Sequence, residues 1–158
     1  MILHIIGPVG VGKTQFIKTF LKKFHVFDVQ TIYNKYGFGP SDLKNPEIFR
    51  QFKSAIENTF ATYFQKSQSK EILVVESSGM NRSLNQAISK YPNITILLLR
   101  PIPERIYKER PYAETINAQF FEYYKNQMIR ADYLINLEQF NDKDKIKEII
   151  EQLEQMLK

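Results

Sequence analysis

The stretch Gly7-Pro8-Val9-Gly10-Val11-Gly12-Lys13-Thr14 decides how this chain is read. It satisfies the pattern G-x-x-x-x-G-K-[ST] at every position. Its glycines permit a turn tight enough to aim backbone N–H groups inward at a phosphate. A helix that begins within Gly12-Lys13-Thr14 adds the partial positive charge of its N-terminus. Lys13 is then expected to reach the β- and γ-phosphates of a nucleotide, with the Thr14 hydroxyl on Mg2+. Gly7, Val9, Gly10, Val11, Gly12, Lys13 and Thr14 are the expected nucleotide-binding set. A pattern this permissive also arises by chance, so its surroundings decide. Before it stands the apolar run Met1-Ile2-Leu3-His4-Ile5-Ile6. After it, Phe16, Ile17, Phe20, Leu21 and Phe24 recur at helical spacing. Strand, loop and helix follow in the order the pattern requires.

Working outward, apolar runs at 3–6, 26–29, 72–75, 94–99 and 133–137 alternate with longer amphipathic segments. Runs without strict polar alternation indicate strands buried on both faces, as in a parallel sheet covered by helices. Asn45-Pro46-Glu47 is a helix start, with a capping side chain, proline in the first turn and an acid at the positive end. The helix it opens extends to about residue 65, and its Phe49, Phe52, Ile56, Phe60 and Phe64 form a core stripe. Further helices are expected over 81–90, 103–108, 113–130 and 142–157. The alternation gives an α/β three-layer sandwich with right-handed crossovers. A length of 158 residues suits one domain.

Composition removes several alternatives. The chain has no cysteine, which excludes a disulfide scaffold and Cys-based zinc sites, and its two histidines, His4 and His25, cannot form a metal cluster. No apolar run approaches the ~20 residues that span a bilayer. The apolar N-terminus has no basic leader, so it reads as a buried strand and not as a signal peptide, and a cytoplasmic protein is expected. The net charge of +5 suits an anionic ligand, either nucleotide or nucleic acid.

The remaining sequence narrows the nucleotide-binding class. Glu76-Ser77-Ser78-Gly79 superficially resembles the D-x-x-G of GTPases, but Asn34-Lys35-Tyr36-Gly37 is misplaced for base reading and lacks the Asp. Motor and AAA-type ATPases need a longer chain. What remains resembles the P-loop nucleoside- and nucleotide-kinase family, including its adenylate-, thymidylate-, shikimate- and dephospho-CoA-kinase-like members. The resemblance is carried by loop 7–14, by Phe27-Asp28 and by Val74-Val75-Glu76. Arg100, Arg105 and Arg110 add to it, as does Ala131-Asp132-Tyr133-Leu134-Ile135, which matches the A-D-x-x-I before the last strand of many such kinases. It implies a five-stranded parallel sheet of order 2-3-1-4-5, with ligands across the carboxyl ends of the strands. It also implies Mg-ATP as donor, a small acceptor and a short lid around 100–112. Two departures leave the acceptor class open. Glu76-Ser77-Ser78 replaces the Asp-Arg of thymidylate kinases and the Glu-Arg-Ser of deoxynucleoside kinases, and Asp28-Val29-Gln30 replaces the frequent Asp-x-Asp.

Phosphoryl transfer is mainly positioning and charge neutralisation, so the site needs Mg2+ ligands, an oriented acceptor and cations. An acid after Ile-Leu-Val-Val is costly unless paired, and Glu76 there can hold Mg2+ or take a proton from the acceptor; the alternative is a helix cap or a solvated loop acid. Asp28 follows the same logic on a more polar strand. In shikimate-kinase-like proteins an acid near Asp28 contacts the acceptor, whereas in deoxynucleoside kinases the Glu76 position supplies the base. Arg105 and Arg110 are expected to close over the nucleotide, ahead of Arg100, because Arg binds phosphate oxygens bidentately. Arg50 and Arg82 occupy regions where such kinases hold the acceptor. Tyr33, Tyr36 and Phe38 form an acceptor-side aromatic wall, core packing or a mobile loop. The expected function is transfer of the γ-phosphoryl of Mg-ATP to a nucleoside or nucleotide by a monomer or homodimer. The alternatives are a polynucleotide 5′-hydroxyl kinase, or a regulatory module that binds nucleotide with little turnover.

Overall fold

The run that precedes the glycine-rich loop becomes the central strand of the molecule. A computed structural model describes residues 1–36, 45–66, 71–139 and 143–156. Its strands are β1 (Ile2–Ile6), β2 (His25–Asp28), β3 (Leu73–Ser77), β4 (Asn93–Leu99) and β5 (Tyr133–Asn136). They form one sheet in the order β2-β3-β1-β4-β5, as the resemblance implies, and every neighbouring pair is parallel. All five residues of β1 are buried, which explains why the run is apolar at every position but His4 and does not alternate.

The helices are α1 (Lys13–Phe20), α2 (Val29–Tyr36), α3 (Pro46–Lys66), α4 (Arg82–Ser89), α5 (Glu104–Glu109), α6 (Tyr112–Lys125) and α7 (Lys143–Met156). One sheet face, with Leu3, Ile5, Val74, Ile96, Leu98 and Ile135, packs against Phe16, Ile17 and Leu21 and against Ile146, Ile149 and Leu153 of α7. On the other face Ile2, Leu73 and Val75 meet Phe52, Ile56, Phe60 and Phe64 of α3 and Leu84, Ala87 and Ile88 of α4. Ile6 and Leu97 are covered there by Phe120 of α6. The expected aromatic stripe of α3 is core.

Several boundaries differ from the sequence expectation. Strand β3 runs through Ser77, so Glu76 lies inside the strand end and not in the loop after it. Helix α6 stops at Lys125 instead of 130, because Asn126 caps it and Gln127 adopts a positive φ of 58°. Helix α2 was not expected. It starts directly from β2, with Asp28 Oδ1 accepting the Gln30 N–H at 2.9 Å, so neither Gly nor Pro marks the junction. Its Tyr33 is buried and stacks on Phe52 at 4.8 Å between ring centroids, which makes it core and not an acceptor wall. Phe38 and the segment Gly37-Phe38-Gly39-Pro40 lie outside the described residues.

One polar residue of β1 is buried. His4 Nε2 lies 2.6 Å from Ser77 Oγ, which also accepts the Gly79 N–H at 3.0 Å. Burial pushes the His4 imidazole down to about 3, so it is neutral and ties the turn after β3 to the central strand. No helix among the described residues is long and apolar enough to cross a membrane.

Candidate active site

The carboxyl ends of β1 and β3 bring two segments together. Their register pairs Ile5 with Glu76 and Ile6 with Ser77, so Glu76 emerges beside the start of the glycine-rich loop. The loop turns through Gly10 at φ 84° and Gly12 at φ 104°, conformations that favour glycine. A Cβ on Gly10 would sit 2.6 Å from Ile106 Cγ2 of α5, so a side chain there is excluded by contact as well as by backbone. The first helical bond of α1 runs from Phe16 N–H to Gly12 O at 2.9 Å. The N–H groups of Lys13, Thr14 and Gln15 precede it and have no helical acceptor, the condition for an anion at a helix N-terminus.

Two side chains of the motif already have partners. The Lys13 ammonium donates to Gly7 O at 2.8 Å and to Pro8 O at 3.0 Å, bridging the loop from inside. Burial lowers the Lys13 pKa to about 8; the Glu76 charge raises it and Arg110 lowers it further. Thr14 Oγ1 donates to Glu76 Oε1 at 2.8 Å. A hydroxyl and a carboxylate on one spot make a hard oxygen pair of the kind Mg2+ takes when phosphate oxygens and waters complete its shell. No cluster of three or more acidic, His or Cys side chains stands among the described residues, and Mg2+ at a nucleotide needs none.

Around this centre is a cavity of about 440 Å³ lined by Val9, Gly10, Gly12, Lys13, Thr14, Gln15, Glu76, Ile106, Arg110 and Tyr112. Of the expected site residues, Lys13, Thr14, Glu76 and Arg110 therefore meet with the loop in one place. Asp28 is the register partner of Glu76 one strand over and is exposed, its Oδ1 occupied by the Gln30 N–H. Arg105 is exposed on α5 and does not line the cavity. Arg100 instead lies against the outside of the loop, with Nη2 3.5 Å from Gly10 O and a buried Nε that has no hydrogen-bond partner. Arg50 is exposed and paired with Glu47 at 3.0 Å. Arg82 borders a different cavity, of about 550 Å³, with Met80, Gln86, Tyr123 and Met128.

Sequence reasoning missed Ile106, Tyr112 and above all Asn117. Asn117 is buried on α6 between Ala113 and Phe120, accepts the Val9 N–H at 2.7 Å and donates to Val9 O at 3.0 Å. The available signal was its position, since Ala113, Asn117 and Phe120 share one helix face and a polar residue on a core face requires a partner.

No protein-family model matches the sequence, and no curated protein matches it. Solved structures do. Shikimate kinase from Acinetobacter baumannii, in complex with shikimate, aligns with a TM-score of 0.57 at 20% identity, over 96% of this chain and 92% of that one. Shikimate kinase from Aquifex aeolicus aligns with a TM-score of 0.56 at 18% identity, over 98% and 96%. The Bacteroides thetaiotaomicron shikimate kinase gives 0.51 at 15%, over 99% and 98%. At these identities the likeness is one of fold, and it extends over nearly the whole chain.

Proposed function

We propose that this protein is a Mg-ATP-dependent phosphotransferase that moves the γ-phosphoryl group to a small acceptor. The observation that carries the reading is the Thr14–Glu76 hydrogen bond at 2.8 Å, set beside Lys13 and the unpartnered N–H groups that open α1. A simple anion site needs the N–H groups and Lys13 only. A carboxylate held on the motif hydroxyl adds the place for a divalent cation, whose chemistry is to neutralise phosphate charge during transfer.

The residues divide by position. Loop N–H groups and Lys13 bind the β- and γ-phosphates, and Thr14 and Glu76 hold Mg2+. Arg110, which lines the same cavity, offsets charge on the transferred group. Glu76 is already committed to Thr14, so Asp28 on the adjacent strand is assigned to the acceptor hydroxyl. In the transfer the acceptor oxygen bonds the γ-phosphorus, the bond to the β,γ-bridging oxygen breaks, and the acceptor proton passes to the Asp28 carboxylate.

The acceptor is a nucleoside, a nucleotide or another small hydroxyl compound. The family resemblance favours the first two, and the shikimate bound to one structural neighbour adds hydroxylated ring acids. The reading places the protein in the cytoplasm, where ATP is the ready donor. ADP release from Mg-ATP against a panel of nucleosides, monophosphates, shikimate-like acids and DNA or RNA ends tests it. Acceptor-dependent release that disappears in Lys13→Ala is the expected result. ATP binding without release for any acceptor would favour a regulatory module, and release only with nucleic-acid ends a polynucleotide kinase.

A further inference from the structure

The glycine-rich loop is braced by two side chains. The Lys13 ammonium holds Gly7 O and Pro8 O from within the motif. Asn117 holds Val9 across a separation of 108 residues, using its oxygen for the N–H and its NH2 for the carbonyl. Asn117 is 2% exposed, and its NH2 lies 3.5 Å from the Tyr107 hydroxyl. The amide orientation follows from chemistry, since the reverse would set oxygen against oxygen and N–H against N–H. Few other side chains replace it. Aspartate would place a carboxylate oxygen on the Val9 carbonyl, and leucine would leave the half-buried Val9 N–H and carbonyl without this partner.

The Lys13 brace also carries the charge that meets nucleotide, since two of the three ammonium donors are given to Gly7 O and Pro8 O and the third is left for phosphate. Asn117 takes the Val9 N–H, which withdraws that group of the expected nucleotide-binding set from phosphate and leaves the N–H groups that open α1 to bind it. Ile106 against Gly10 and Arg100 beside Gly10 O reach the loop from the same chain segment as Asn117.

We propose that Asn117 is the positioning residue of the phosphate loop, holding the backbone at Val9 from α6 so that the N–H groups beyond it stay aimed at the phosphates. The inference rests on reading the loop as an ATP site. It makes segment 100–125 a fixed brace of the donor site, coupled to it through one amide.

Calorimetric titration of Mg-ATP into wild-type, Asn117→Ala and Asn117→Asp protein tests the proposal, with thermal melting of each in the absence of nucleotide. The wild-type protein binds. Loss of both hydrogen bonds in Asn117→Ala, or of the donor half with a carboxylate set against the Val9 carbonyl in Asn117→Asp, should weaken Mg-ATP binding about tenfold or more. The melting gain on adding Mg-ATP should shrink by more than the nucleotide-free melting point falls, which a purely structural asparagine would not produce. At acid pH Asn117→Asp should regain affinity relative to wild type, because a protonated carboxyl can donate to Val9 O. Folded variants that bind Mg-ATP as tightly as wild type would overturn the proposal and leave the kinase reading intact. Wild-type protein that binds no Mg-ATP would overturn both. Should the variants not fold, amide exchange in the wild-type protein decides. The Val9 N–H should be protected with and without Mg-ATP, and the Lys13 and Thr14 N–H groups only with it; a Val9 N–H that exchanges as fast as theirs in the free protein overturns the proposal.

Discussion

The donor and acceptor ends of the site are built in different ways. At the donor end Lys13 bonds within the loop, and the other key groups are held by distant elements. Thr14 bonds Glu76 across 62 positions, Val9 bonds Asn117 across 108, and Gly10 is closed by Ile106. At the acceptor end the side-chain bonds of the candidates run to near neighbours in sequence. Asp28 bonds Gln30, Arg50 pairs with Glu47, and Arg82 is exposed at another cavity. Long-range contacts make the donor end part of the folded core, so phosphate geometry is set when the sheet forms. Local contacts leave the acceptor end free to vary without disturbing the fold.

The sharpest way to break this contrast is Lys13→Ala. Loss of a preorganised cation at the transferred phosphate should reduce turnover by about 10²–10³-fold or more, measured as acceptor-dependent ADP release, with the fold intact by circular dichroism. Next is Glu76→Gln. If Glu76 serves the metal, turnover should fall about 10²-fold while the dissociation constant for Mg-free ATP changes little, by parallel kinetics and titration. Equal activity would return Glu76 to a structural role.

A smaller effect concerns pH. Burial holds the Lys13 pKa down to about 8 in the nucleotide-free protein, so its neutral form gains weight as pH rises through that value. Only the ammonium form attracts phosphate, and bound phosphate raises the pKa again. ATP binding therefore takes up a proton above pH 8, and affinity should fall as pH rises from 8 to 9.5, by up to about tenfold per unit. Lys13→Arg should flatten that slope, since guanidinium does not titrate there. The smallest effects belong to the acceptor end. Arg50→Ala and Arg82→Ala should leave Mg-ATP affinity within about twofold, because exposed pairs such as Arg50–Glu47 contribute little. A large loss of ATP affinity in either would dissolve the distinction between the two ends.

The same contrast explains what could be read from the residues alone. Loop 7–14 was legible because its chemistry is contained in consecutive residues. The central strand was legible because burial on both faces removes the polar alternation. Helix α2 was not, since strand β2 passes into it through an Asp28 side-chain bond without a glycine or proline. The end of α6 was hidden because Asn126 and Gln127, not a standard breaker, terminate it. Asn117 stood on an apolar helix face and could be suspected of needing a partner, but nothing local names Val9 as that partner. The arginines were legible only as a group. The fold turns Arg110 into the cavity, sends Arg100 to the outside of the loop and leaves Arg105 exposed.

Calorimetric titration of Mg-ATP into the wild-type and Lys13→Ala proteins tests the central claim most directly. Saturable binding in the wild type that is lost in a folded Lys13→Ala variant is the predicted result. Indistinguishable titrations of the two proteins would contradict it.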